Sequence, residues 1–520
     1  VDRRRLLGQH GAMTPAGPSV ERDRFIDLLR VAGVAIVVLG HWAVFVVFWE
    51  GDTIRGVNAL SVIPAIRPIT WIVQVMPLMF FIGGFSNSRS LDRHGGSVRA
   101  FLSNRMIRLL GPTAVFIGVW LVLGVVQAVA DLPDPDLLRR AADVAALPFW
   151  FLGIYLVAVG LAPAMRTLHE RFRWWVPGIL VCGAVAVDVV SRGFDLGDVG
   201  AVNYLFVWLL AHQAGYFYAD GTLPAAGRRG DALLAAAGLA GMAVLITWFG
   251  YPVSMVEVPG QPASNTAPPS IALVFLALWL IGLAMLLRGP LARWLERDRP
   301  WRVVTRLNRI VLTAYLWHVT AITASVAILY PLGFPQPEIG TPQWWLLRPV
   351  FVASMVPLLV ALLAVFGRFE IHPVTVVARG RFDARSIAAM AFGTFALAVC
   401  LLGFGITGFI ELADAEGASL LNFQFNPLQN VLHGWWGVAA VAAALRYPRW
   451  AVTATLAGGV LFLAGGWIEL GDAGTILGMN DLTAMAHLVS GALAVVGGLA
   501  GAERAGRPYE RGRRSGAASR

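Results

Sequence analysis

Long apolar runs alternate with short polar connections from one end of the chain to the other. Fourteen of these runs approach or reach the roughly 17–25 residues that an α-helix needs to cross a bilayer. Ten come first, over 26–49, 69–87, 106–129, 146–165, 174–191, 202–219, 232–250, 270–287, 310–330 and 347–366. Four more, over 387–411, 430–445, 450–470 and 482–501, follow a polar, basic break at Arg368–Arg385. The pattern predicts an all-α integral membrane protein with about 14 transmembrane helices in a 10 + 4 arrangement. The first run is long and lacks an A-x-A-like cleavage site, so it is expected to be a retained helix.

The connections differ in kind. Arg89–Arg108, Arg166–Arg173, Arg288–Arg309 and Arg368–Arg385 are basic, whereas Asp131–Asp136, Ser254–Ser270, Pro331–Pro342 and Glu411–Pro427 are acidic or rich in Pro and Gly. Every basic residue is Arg, as suits a high-GC bacterial genome. Of the 41, 34 lie in alternate connections or the two tails, six in the other connections, and Arg30 inside the first run. This is the positive-inside asymmetry, and it places both termini in the cytoplasm of a multi-pass protein of a bacterial cytoplasmic membrane. The expected division is a basic tail (1–24), a ten-helix membrane domain (25–370), a basic linker (371–385), a four-helix membrane domain (386–501) and a second basic tail (502–520).

Composition agrees. The chain is 57% apolar and 14% charged, with a mean hydropathy of +0.67. A soluble protein carries about 25% charged residues. The net charge of +10 is accounted for by topology and by attraction to anionic lipid headgroups, so the bilayer is the expected partner and nucleic acid is not. Cys182 and Cys400 both fall inside apolar runs and imply neither a disulfide framework nor a metal site.

Ionisable groups inside spans are costly and are functional candidates by default. On the first run, Arg30 and His41 are 11 positions apart, about three full helical turns, so they share one face. The rise between them is about 16 Å, which puts Arg30 near the cytoplasmic surface and His41 near mid-membrane. Asp27 can pair with Arg30 at i, i+3. Physics alone leaves two readings open: a reactive face, or a snorkelling arginine and a histidine bonded to a neighbouring helix.

Asp27-Leu28-Leu29-Arg30 with His41 resembles the first-helix signature of the acyltransferase-3 family, bacterial membrane proteins that acylate sugars and other hydroxylated molecules. Phe80-Phe81-Ile82-Gly83-Gly84-Phe85 is similar to the family's Phe-Phe-x-Ser-Gly-Phe segment, with Gly83 standing in place of the usual Ser. Arg105-Met106-Ile107-Arg108 resembles its Arg-x-x-Arg motif, and Trp150-Phe151-Leu152 and Tyr315-Leu316-Trp317-His318 match later landmarks. The likeness runs over roughly residues 24–370. It implies an acyltransferase that takes acyl-CoA, acetyl-CoA foremost, as co-substrate, and a hydroxyl of an extracytoplasmic or lipid-linked glycan or similar molecule as acceptor. His41 is then the expected general base, Arg30 the residue that holds the donor, and Arg105 and Arg108 the bidentate phosphate binders at the cytoplasmic mouth. His318 becomes a second candidate for lining the donor cavity.

Other polar groups are expected to be structural. His212 reads as a packing group, Asp188 and Glu50 as groups facing the outer headgroup zone, and Trp344 and Trp345 as interfacial anchors. The outer loop 252–269, with Gln261, Asn265 and Thr266, is long and polar enough to cover an acceptor site.

The last four runs carry Asn426-Pro427, Asn430, His433 and His487 among glycine-rich helices. They resemble a family of small four-span bacterial membrane proteins of unknown function. Their two histidines are expected to serve helix–helix contacts in a small-residue bundle. A proton-coupled transporter or permease using the buried His and Arg is the alternative to the enzyme, although no inverted repeat is visible.

Overall fold

The computed structural model describes residues 22–50, 53–130, 135–194, 196–373, 382–409, 418–420, 423–470 and 480–506. The tails, the linker 371–385 and the loop 411–427 therefore lie wholly or partly outside the described residues.

Among the described residues, fourteen long helices carry the fold: α1 (Arg24–Val44), α2 (Met76–Arg93), α3 (Val98–Ala130), α4 (Phe149–Phe172), α5 (Trp175–Gly193), α6 (Asn203–Ala219), α7 (Gly227–Phe249), α8 (Ile271–Trp294), α9 (Val311–Leu329), α10 (Pro342–Phe366), α11 (Ala384–Thr407), α12 (Pro427–Arg446), α13 (Ala451–Leu470) and α14 (Asp481–Gly506). Among the described residues, 12 helical segments are long and apolar enough to cross a membrane. The two long helices outside that set are α6, at 17 residues, and α12, which brings Gln429, Asn430 and His433 into its first two turns. Among the described residues there is little sheet, in two short antiparallel hairpins.

One hairpin corrects the expected first span. The helix stops at Val44, and the apolar stretch after it forms β1 (Phe45–Glu50), paired with β2 (Thr53–Asn58) from Phe45↔Asn58 to Glu50↔Thr53. The stop has a physical cause. The guanidinium of Arg348, on α10, donates to the carbonyls of Trp42 (2.6 Å), Ala43 (3.1 Å) and Phe45. These are among the groups a helix C-terminus leaves unsatisfied. Tyr330 Oη then donates to Val47 O, and the Gln336 side chain bonds both backbone groups of Trp49, which pins the hairpin to the α9–α10 connection.

At the other end of α1, Asp23 caps the helix by accepting from Ile26 N at 3.0 Å, as N-cap Asp does. The partner helix α2 lies against α6 with almost no side chain between them. A Cβ on Gly84 would sit 1.8 Å from the carbonyl oxygen of His212, and one on Gly215 would sit 2.2 Å from that of Phe81. Backbone approach through small residues is the normal means of packing helices where lipid removes the hydrophobic drive. His212 lies at that contact, its Nε2 3.0 Å from Asn87 Nδ2, in keeping with the packing role expected of it.

Two other expectations need correction. Asp188 does not face the headgroups: it is buried, accepts from Tyr251 Oη (2.7 Å) and Ile271 N (2.9 Å), and pairs with Arg192. Those donors make burial of its carboxylate tolerable. Of the two neighbouring tryptophans, Trp345 is exposed but Trp344 is buried.

The last four helices form a second bundle that packs directly on the first. Gly160 of α4 meets Thr394 of α11, Gly153 meets Leu402, and Arg99 donates twice to the carbonyl of Leu445. Phe409 enters an aromatic cluster with Phe116, Trp120 and Phe149. Within the bundle, Gly459 and Gly491 allow α13 and α14 to touch, as a small-residue bundle requires. His433 and His487 pack edge to face with 5.1 Å between ring centres, and each Nδ1 sits against the carbonyl one turn earlier on its own helix.

Candidate functional site

The helix α1 presents one stripe of residues, Arg30, Val34, Val37 and His41, spaced so that all four fall within about 60° of one another. The first three line a cavity of about 860 Å³ that opens at the face carrying the Arg-rich connections. At its mouth stand Arg22, Arg89, Arg93, Arg108 and Arg309. With Arg30 and Arg105 they make seven arginines against the carboxylates of Asp23, Asp27 and Glu370. Deeper in, the lining becomes Val34, Val37, Met76, Met79, Phe151 and Tyr315. The result is a basic entrance leading to an apolar channel between α1, α2, α4 and α9.

Arg30 is held by three side chains. Its Nη1 donates to Asp27 Oδ1 (3.2 Å) and to Asn308 Oδ1 (3.2 Å), and its Nη2 donates to Ser86 Oγ (2.6 Å). Asn308 Nδ2 donates in turn to Asp27 Oδ1 at 2.8 Å, and Arg22 reaches the other oxygen of that carboxylate. The pairing of Asp27 with Arg30 was legible from their spacing. Asn308 and Ser86, on distant segments, were not.

Arg105 and Arg108 both line the cavity but differ in depth. Arg105 turns inward, donating to the carbonyl of Ser86, and its buried Nε has no hydrogen-bond partner among the described residues. Arg108 is exposed and bonded to Asn104 on its own helix (2.9 Å). Gly83 lines the same cavity, and a Cβ there would meet the ring of Tyr155 at 2.6 Å and its hydroxyl at 3.3 Å. The tyrosine thus occupies the space that a serine side chain at position 83 would need.

His41 is the next residue on the stripe, one turn beyond Val37. It is half-buried and is not part of the cavity lining. Its Nδ1 lies 2.7 Å from Nε2 of His318 on α9, with the ring planes only 17° apart. That separation is shorter than any face-to-face stacking distance, so the rings meet edge to edge with a hydrogen bond in their common plane. His318 is fully buried and also stands outside the cavity lining. Its Nδ1 is 2.6 Å from the carbonyl of Tyr315, and its own carbonyl accepts from Trp42 Nε1 (2.8 Å), which locks α9 onto α1 at this level.

Two supporting residues carried no motif. Arg348 ends α1 three residues past His41, as described above. Glu370, in the short helix Arg368–Ile371, accepts from Leu312 N (3.0 Å), Thr313 N (2.7 Å) and Thr313 Oγ1 (2.7 Å), so a carboxylate sits on the N-terminus of the helix that carries His318. Burial raises the pKa of Glu370 above its ordinary value, against the opposing pull of these donors.

The outer loop contributes scaffolding. Asn265 is fully buried and donates to the carbonyls of Pro252 (2.7 Å) and Ser254 (2.9 Å), and Thr266 donates to Met255 O (2.8 Å). Both side chains are thereby committed to holding the loop's own shape. Among the described residues no group of three His, Cys, Asp or Glu side chains has the placement to hold a metal ion.

Comparison with known families matches residues 386–500 to a domain of unknown function (DUF4383). Neither a curated protein nor a solved structure matches the chain. Residues 23–365, which hold the whole cavity lining apart from Arg22, Glu370, Ile371 and His372 and contain His41 and His318, match the family model described as an acyltransferase domain. The protein therefore belongs to the acyltransferase-3 family and is a multi-pass membrane acyltransferase.

Proposed function

We propose that this acyltransferase moves an acyl group, acetyl foremost, from acyl-CoA to a hydroxyl of an extracytoplasmic or lipid-linked glycan or similar acceptor. The observation that carries the reading is the α1 stripe. Arg30, Val34 and Val37 line a cavity entered past arginines, and His41 is the next residue on the same face. The donor has the matching order of chemistry: anionic phosphates at one end, a long thin arm, and a thioester at the other. Arg108 at the mouth and Arg105 just inside it would take the phosphates, since guanidinium forks match phosphate oxygens. Arg30, fixed by Asp27, Asn308 and Ser86, would set the start of the arm.

The arm would follow the stripe inward toward His41. For the thioester to reach it, the apolar end at Val37, Met76 and Tyr315 must part by about one helical turn's length. His41 acts as general base on the acceptor hydroxyl, which arrives from the opposite face. On this reading the Arg-rich face is cytoplasmic, the membrane is the bacterial cytoplasmic membrane, and no metal takes part.

The test uses sealed proteoliposomes whose orientation is set by protease mapping of the basic tails. Dodecyl maltoside serves as a hydroxylated probe acceptor. Acetyl-CoA supplied on the Arg-rich side should be consumed, and Arg30→Ala should abolish consumption. Consumption from the opposite side only, or unchanged turnover in Arg30→Ala, would refute the assignment.

A further inference from the structure

The geometry points to His318 as the positioning residue that fixes the tautomer of His41, leaving His41 Nε2 as the nitrogen that takes the acceptor's proton. This rests on the proposed role of His41 and deepens it. The chain of reasoning starts at a group whose role is not adjustable. The backbone carbonyl of Tyr315 only accepts, so the His318 Nδ1 that lies 2.6 Å from it carries a hydrogen. In the neutral ring the other nitrogen, Nε2, is then a bare acceptor. It faces His41 Nδ1 at 2.7 Å in the ring plane, so that nitrogen must be the donor. With its hydrogen on Nδ1, His41 keeps its lone pair on Nε2.

The surroundings make the arrangement stiff. His318 is fully buried, Trp42 Nε1 bonds its carbonyl, and Tyr315 is anchored at its far end by donating to Pro148 O (2.9 Å). His41 is half-buried whereas His318 is fully buried, so His41 is the less enclosed of the two rings. A base whose orienting partner is itself held by a third group is the general form of an activated site.

The transfer balances without any further reactant. The acceptor oxygen bonds to the thioester carbonyl carbon while its proton passes to His41 Nε2. The C–S bond breaks, and the departing thiolate takes that proton from Nε2 to leave as free CoA thiol. In between, His41 is an imidazolium whose Nδ1–H points at the lone pair of His318. That contact stabilises the charge where it develops.

The test compares His318→Gln, His318→Ala and His41→Ala in nanodiscs, with acetyl-CoA turnover onto dodecyl maltoside and acetyl-CoA binding measured separately by equilibrium dialysis. A glutamine carbonyl can still accept from His41 Nδ1–H, whereas alanine cannot. His318→Ala should lower kcat by about 100-fold, the lower end of what general acid–base catalysis contributes, with donor affinity unchanged. His318→Gln should recover at least about tenfold of that loss. The glutamine variant also reports whether the fold survives substitution. Wild-type turnover in His318→Ala, equal loss in both His318 variants, or a loss matched by weaker acetyl-CoA binding would each overturn the tautomer role while leaving His41 as the base. Unchanged turnover in His41→Ala would instead remove the reading beneath it.

Discussion

Arg348 makes a prediction that neither its place in the sequence nor any motif suggests. Replacing it with Met keeps much of the apolar stem and removes the guanidinium that serves three carbonyls at the end of α1. A hydrogen bond to a charged group contributes about 1.5–3 kcal/mol, and a buried acceptor left without a partner costs about 1–3 kcal/mol. Three such losses bound the effect near 9 kcal/mol, but contacts made by one side chain are not additive. The remaining lone pairs can also find water once the helix end loosens. A net loss of about 3 kcal/mol is the expectation. His41 lies within the same last turn, and a displacement of about 1 Å at a reacting group costs roughly 100-fold in rate. Arg348→Met should therefore lower the melting temperature in nanodiscs and reduce kcat far more than it weakens acetyl-CoA binding. Arg348→Lys, a point charge without the fork, should recover part of the stability and little of the rate. Unchanged melting and unchanged kcat in Arg348→Met would refute the reasoning that this residue sets the end of α1 and the placement of His41.

Three further outcomes follow from the cavity. Gly83→Ser should destabilise the protein by about 1–3 kcal/mol because its Cβ meets Tyr155, and adding Tyr155→Ala should relieve most of that cost in a double-mutant thermal melt. Val37→Trp should leave acetyl-CoA binding within about threefold of wild type and lower turnover by at least about 100-fold, since it fills the apolar end one turn before His41; equal losses in binding and turnover would count against the stripe. Arg108→Ala, at the exposed mouth, should raise the KM for acetyl-CoA about tenfold with little change in kcat and weaken its salt dependence, as expected for a group that binds donor and transition state alike.

Much of the fold was legible because lipid leaves a chain few options. Backbone groups must be satisfied within each span, so long apolar runs become helices, and the arginine asymmetry orders them. What escaped was decided by partners far away in sequence. The stretch from Ala43 to Trp49 is apolar in either conformation, and the guanidinium that ends the helix there comes from about 300 residues downstream. A Gly-Asp pair at 51–52 followed by alternating residues was the available hairpin signal, weaker than the apolar run it interrupts. Asp188 read as a headgroup-facing carboxylate because it lies late in its span with Arg192 one turn on, whereas its donors Tyr251 and Ile271 arrive from far along the chain. In the site, the shared face of Arg30 and His41 follows from helical period alone. The contact between His41 and His318 spans 277 positions and required the packing of α9 on α1, so the motif named both residues but not their relation.

The role of His41 is reached most directly by following free thiol released from acetyl-CoA in nanodiscs, wild type beside His41→Ala, with dodecyl maltoside as acceptor and donor binding measured on the same samples. If His41 is the base, the variant binds acetyl-CoA as wild type does and its transfer falls by about 100-fold or more. Equal thiol release from both proteins would contradict that role and leave the basic cavity without the chemistry proposed at its inner end.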